Sequence, residues 1–92
     1  MPRMVTVEFA PSLQRHVPCP RQTVPEGPLR SALDAALAAA PTLAHYVFDD
    51  QHSVRKHVAV FVNSQLVLDR KHLAQTLTSG DKVLVVQALS GG

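Results

Sequence analysis

Five histidines, one cysteine, two adjacent aspartates and a small-residue ending are the groups in this 92-residue sequence whose types could do chemistry. His16, His45, His52, His57 and His72 would suggest a metal, but none forms an i,i+4 pair on an expected helix and no cysteines join them. Cys19 is the single cysteine, which excludes an internal disulfide and a Cys-x-x-Cys redox pair and leaves a packing role. Asp49 and Asp50 are consecutive, so their carboxylates point in different directions, and a solvated turn suits them better than paired acid–base catalysis. No Gly-x-Ser-x-Gly elbow or glycine-rich phosphate loop is present, and Ser90 has no base close to it in sequence.

What is left is the carboxyl group after Ala88-Leu89-Ser90-Gly91-Gly92. Glycine lacks Cβ and takes almost any backbone angle, so a carboxylate carried this way fits where a side chain would clash. Five extended residues reach about 16 Å. That is enough to thread a partner's channel while a folded body over 1–88 docks outside, with 89–92 as a flexible tail.

The elements that must position this tail follow from periodicity. Val5, Val7 and Phe9 alternate with Thr6 and Glu8, which predicts a half-buried first strand. From Pro11 to Gly27 four prolines interrupt the pattern, and Leu13, Val17 and Val24 fit an irregular edge strand pairing with the first. Gly27-Pro28 opens a helix with Leu29, Leu33 and Leu37 on one stripe, and Pro41 ends it near Ala40. A short second turn over 42–46 and a polar loop over 49–56 come next. Val58, Val60 and Val62 against Ala59 and Phe61 are apolar on both faces, as an inner strand requires. A turn at 63–65, a short strand at 66–68, a helical turn over 73–77, a turn at 79–81 and a last strand over 82–88 complete the chain. One helix on one face of a mixed four- to five-stranded sheet is an α+β layer, and it resembles the β-grasp, or ubiquitin-like, roll.

Composition bounds the function. With 46% hydrophobic and 17% charged residues the chain is not a disordered one. Its stability is expected to be modest, on the order of 5–10 kcal/mol. The nine basic and seven acidic residues are scattered, and Tyr46, Phe9, Phe48 and Phe61 are expected in the core rather than in base stacking, so no nucleic-acid partner is expected. No apolar run approaches the ~20 residues of a membrane span, and MPRMVTVEF runs straight into alternating residues, so no membrane association and a cytoplasmic protein are expected.

The stretch HVAVFVNSQLVLDRKHLAQTLTSGDKVLVVQALSGG resembles the second half of ThiS/MoaD-family ubiquitin-like sulfur carriers. The shared pattern is the inner strand Val58 to Val62, Asn63 opening a turn, Val67, Leu73 and Leu77, the Gly80-Asp81 hairpin, Val83 to Val86, and Gly91-Gly92. The first strand and the helix after Val24 fit as well. Ser64 departs from the glycine many members carry there, Lys82 stands where an acid is frequent, and the basic balance departs from the usual acidic docking surface.

The resemblance implies a carrier, not an enzyme. A ubiquitin-activating-type adenylyltransferase would use ATP and Mg²⁺ to adenylate Gly92, a sulfurtransferase or persulfide donor would replace AMP by sulfur, and a sulfur-accepting biosynthetic enzyme would consume the thiocarboxylate. Candidate acceptor pathways are thiamine thiazole, a cysteine-type amino acid or another thiolated metabolite. Gly91 would give clearance, and this chain would bind no cofactor or metal itself. Docking is expected on the helix-free sheet face at Phe61, Leu84 and Val86, each weighed against simple core packing, and on the tail at Leu89 and Ser90. Three other readings stay open: the small subunit of a molybdopterin synthase, a non-catalytic β-grasp binding module, and a protein modifier joined to lysines through Gly92.

Overall fold

The computed structural model describes residues 3–15 and 18–87. Strand β1 (Met4–Phe9) buries Val5, Val7 and Phe9 and turns Thr6 and Glu8 to the opposite face. Pro11 then opens a single helical turn, α1 (Pro11–Gln14), that buries Leu13. This corrects the expected irregular strand: proline's fixed φ suits the first helical position, and one turn is too short to leave a period in the sequence. The edge strand is confined to β2 (Gln22–Pro25), antiparallel to β1 with Val24 opposite Val5. Val17 lies outside the described residues.

Helix α2 (Leu29–Leu37) buries Leu29, Ala32, Leu33, Ala36 and Leu37 against the sheet. It is shorter at both ends than expected. Pro28 is extended and pairs within the two-residue strand β3 (Gly27–Pro28), and Ala40 has left the helix (φ −146°, ψ 73°) before Pro41. Helix α3 (Pro41–Val47) is longer than the expected turn and buries Leu43 and Val47.

Strand β4 (Val58–Val62) is an inner strand, and β5 (Gln65–Leu66) returns beside it. Both turn residues, Asn63 (φ 49°) and Ser64 (φ 69°), are left-handed, the geometry of a two-residue hairpin that follows the sheet's twist. Asparagine tolerates this conformation; serine gains nothing from it. Ser64→Gly is therefore expected to stabilise the domain by about 0.5–1 kcal/mol, read as a higher melting temperature; a lower one would refute the assignment of strain.

The expected helical turn over 73–77 is absent. Leu73 is left-handed (φ 50°) and fully buried, and β6 (Thr76–Leu77) pairs with β3. The cause lies in α2, whose first N–H groups lack side-chain caps: Leu29 N–H donates to Gln75 O (2.8 Å) and Arg30 N–H to Leu73 O (3.1 Å). These carbonyls serve another helix's N-terminus, and a left-handed Leu73 cannot continue a right-handed helix. Strand β7 (Lys82–Gln87) finishes the sheet, parallel to β1 and antiparallel to β4. The order is β2-β1-β7-β4-β5. The core fills the space between one face of this sheet and α2. No helix among the described residues is long and apolar enough to cross a membrane.

Candidate functional site

The residues leading to the diglycine depart from the end of β7, the middle strand. On one side Ala10 N–H donates to Val85 O (2.9 Å) and Gln87 N–H to Ser12 Oγ (3.3 Å); on the other Gln87 pairs with Val58. Val58 is itself fixed, because the Arg70 guanidinium donates to its carbonyl and to that of Arg55. The strand is thus held from both flanks to its last residue. Leu89, Ser90, Gly91 and Gly92 lie outside the described residues, as does the expected boundary at Ala88.

The sheet face away from α2 carries an apolar row. Glu8 faces Leu84, Leu84 faces Phe61 and Phe61 faces Leu66, across four neighbouring strands, while Val86 faces Ala59. Leu84 is 37% and Leu66 50% exposed, and Phe61 and Val86 are half-buried. Phe61, Leu84 and Val86, for which core packing was the alternative, are therefore brought together on the open face. Leu66 is an addition that the sequence reading missed. A signal was present: a two-residue turn at Asn63-Ser64 forces Phe61 opposite Leu66. A shallow hollow of about 420 Å³ on this face has Phe61 and Leu84 in its lining and Glu8, Arg21 and Lys82 as charged groups.

The surrounding loops are held by ionised side chains bonded to backbone. Asp49 accepts the N–H groups of Ser53 and Gln51, Asp69 those of His72 and Ala74, and Asp81 the N–H of Thr78 and the Asn63 amide. These bonds favour the charged form and hold each carboxyl below its usual range. Asp49-Asp50 is thus a turn that caps itself rather than a catalytic pair.

A folded-state pKa below the unfolded one gives stability that is present above the unfolded value and is lost as pH falls through the folded value. The melting temperature is therefore expected to be level above about pH 5 and to decline progressively below about pH 4. Asp81→Asn should flatten part of that decline, and a profile unchanged down to about pH 2 would contradict the assignment.

His52 stacks on Phe48, their ring centroids 6.3 Å apart. Among the described residues no three His, Cys, Asp or Glu side chains converge as a metal ion would require, and His16 lies outside them. Cys19 is 1% exposed, and burial pushes its thiol pKa up, away from the reactive thiolate.

The same fold occurs in several solved structures. SAMP1 from Haloferax volcanii superimposes with a TM-score of 0.81 at 23% identity, over 97% of this chain and 99% of that one. A chain of the Amycolatopsis orientalis BexX/CysO complex gives 0.71 at 21% identity, over 96% and 99%. Urm1 from Trypanosoma brucei gives 0.66 at 20% identity, over 99% and 97%. These likenesses, with the mixed five-stranded sheet and its helix, make the fold the β-grasp, ubiquitin-like roll. No curated protein matches the sequence. The model of the ThiS family, however, matches residues 21–92, from the start of the edge strand through the diglycine, and the chain belongs to that family.

Proposed function

We propose that this chain is a sulfur carrier whose reactive group is the carboxyl of Gly92. The observation that carries the reading is the family match, which runs on from the centre strand to include Gly91 and Gly92. In the proposed cycle the Gly92 carboxylate attacks the α-phosphate of ATP in a ubiquitin-activating-type adenylyltransferase, with Mg²⁺ on the phosphates, and pyrophosphate leaves. The terminal sulfur of a persulfide donor, carried by a sulfurtransferase, displaces AMP from the acyl carbon. A thiol then cleaves the resulting acyl disulfide, giving a Gly92 thiocarboxylate and a disulfide on the donor side. The thiocarboxylate sulfur is polarizable and ionised at neutral pH, so it attacks an activated acceptor on a biosynthetic enzyme without a side-chain base.

The chain then supplies substrate and recognition, and its partners supply the catalytic groups. The apolar row Leu84, Phe61 and Leu66, with Val86 nearer the tail, is the surface proposed for docking, with Leu89 and Ser90 entering the partner beside it. Such an interface occupies ~800 Å² per partner, comparable to much of this face.

The test is intact mass after incubation with ATP, Mg²⁺, a cognate activating enzyme and a persulfide source. An oxygen-to-sulfur exchange confined to Gly92 supports the carrier. No exchange with an enzyme of demonstrated competence, or exchange that survives deletion of Gly92, overturns it. A second reading is favoured by the likeness to small archaeal modifier proteins, SAMP1 of Haloferax volcanii and of Methanosarcina acetivorans among them. Under that reading the activated Gly92 forms an isopeptide with lysine, which the same mass measurement distinguishes.

A further inference from the structure

The side chains of β7 alternate, so the end of this strand presents two different surfaces. Leu84 and Val86 belong to the open apolar face. Gln87 has the parity of the core residues Val83 and Val85, and together with Val58 it lines a separate hollow of about 330 Å³ on the helix side of the sheet, bounded by His45, Tyr46, Arg55 and His57. His45, Arg55 and His57 are all exposed there. Arg55 spends its Nε–H on the carbonyl of His45. Asp49 is within electrostatic reach of Arg55, and its Oδ1 already accepts the N–H groups of Gln51 and Ser53. The rim of this hollow is thus a cluster of cationic and imidazole groups at the base of the tail.

Any partner that draws Gly92 into an active site must close around Gln87. Five extended residues span about 16 Å, and a footprint of ~800 Å² has a radius of about the same size. The helix-side hollow therefore falls within the footprint along with the open face. Covering a guanidinium and leaving it unpaired is costly, so the surface that covers Arg55 and His57 must bring carboxylates to them.

We infer that the His45, Arg55 and His57 rim is a second recognition surface, read by an acidic segment at the mouth of the activating enzyme's channel while its apolar surface covers Leu84 and Phe61. The inference rests on the carrier reading. It makes docking two-sided, with the apolar row giving contact area and the basic rim fixing the direction from which the tail is gripped.

The test measures ATP–pyrophosphate exchange by the cognate adenylyltransferase as a function of carrier concentration, for wild type, His57→Glu, Arg55→Glu/His57→Glu and Arg55→Lys. The double variant is expected to raise the KM for carrier about tenfold or more at unchanged kcat, with His57→Glu and Arg55→Lys intermediate. Wild-type KM should rise with salt, and that dependence should weaken in the double variant. His57→Glu keeps the test sound if loss of the Arg55 bond disturbs the fold, which circular dichroism reports. A KM within about twofold of wild type for folded His57→Glu and for the double variant overturns the acidic-segment inference and leaves the carrier reading standing. Absence of exchange with wild type, using an enzyme of demonstrated competence, overturns both.

Discussion

Valine in place of Gly91 is expected to slow adenylation of Gly92 by roughly 10²-fold while leaving the melting temperature of the domain unchanged. The proposed chemistry happens on the partner, so the penultimate residue acts only through the space it occupies and the backbone angles it allows. A β-branched side chain adds bulk where the tail must pass between channel walls, and it restricts the angles that bring the carboxylate in line with the α-phosphate. A misplacement of about 1 Å is enough for a loss of this size. Gly91 follows the sheet's last described residue, Gln87, by four positions, so the folded body should not register the change. Pyrophosphate exchange and thermal unfolding measured on one preparation separate the two effects. A Gly91→Val rate equal to wild type would show that the tail is not threaded through a narrow channel.

Arg30→Ala is expected to do the opposite, lowering stability by about 2–3 kcal/mol without touching the reactive end. Arg30 lies in the first turn of α2, and its guanidinium donates to His52 O (2.7 Å), Lys71 O and His72 O (3.3 Å). It also sits over the Phe48 ring at 5.4 Å. One side chain thereby ties the helix to two loops, which are joined a second time where Val54 N–H donates to Arg70 O (2.9 Å). Its Nη1 is buried with no partner among the described residues, a cost that the remaining bonds offset. Removal leaves three carbonyls to find water or strain, and the loss corresponds to a fall of about 10–20 °C in melting temperature for a domain of this size. Lysine should recover less than half, because a point charge cannot reproduce a planar fork reaching several acceptors. A melting temperature within about 2 °C of wild type would show that these bonds are replaced by solvent at no cost.

The contrast between these two positions explains what could be read from the chain alone. Gly91 is proposed for the site on residue type and the family pattern. Nothing local to Arg30 singles it out: its acceptors lie 22 to 42 residues away, and no periodicity marks a carbonyl as a hydrogen-bond acceptor for a distant arginine. The alternating strands β1, β4 and β7 were legible because burial on one face repeats every second residue, and the same alternation set Phe61, Leu84 and Val86 apart from the core valines while leaving open whether their face was covered. The ends of α2 were not, since Pro28 is drawn into a strand by Thr76 and the segment after β5 surrenders its carbonyls to Leu29 and Arg30. One-turn α1 and the left-handed Leu73 carry no repeating pattern at all. Leu66 was recoverable from hairpin arithmetic. The chemistry assigned to Gly92 came from the family pattern, because the tail's own composition allows many uses.

The place of β7 in the sheet has a consequence for how the molecule assembles. It is the last strand in sequence but the middle one in space, and it alone joins β1 to β4. Before it arrives the chain holds two separate hairpins, β1 with β2 and β4 with β5, each marginal by itself in water. Folding must therefore wait for a contact between the two ends of the sequence, which makes it slow for a domain of this size and all-or-none in character. A cut after Gln87 spares the sheet; a cut a few residues earlier divides it. The segment from which the proposed docking tail continues is thus also the keystone, so a β7 held in register identifies a molecule that has finished folding.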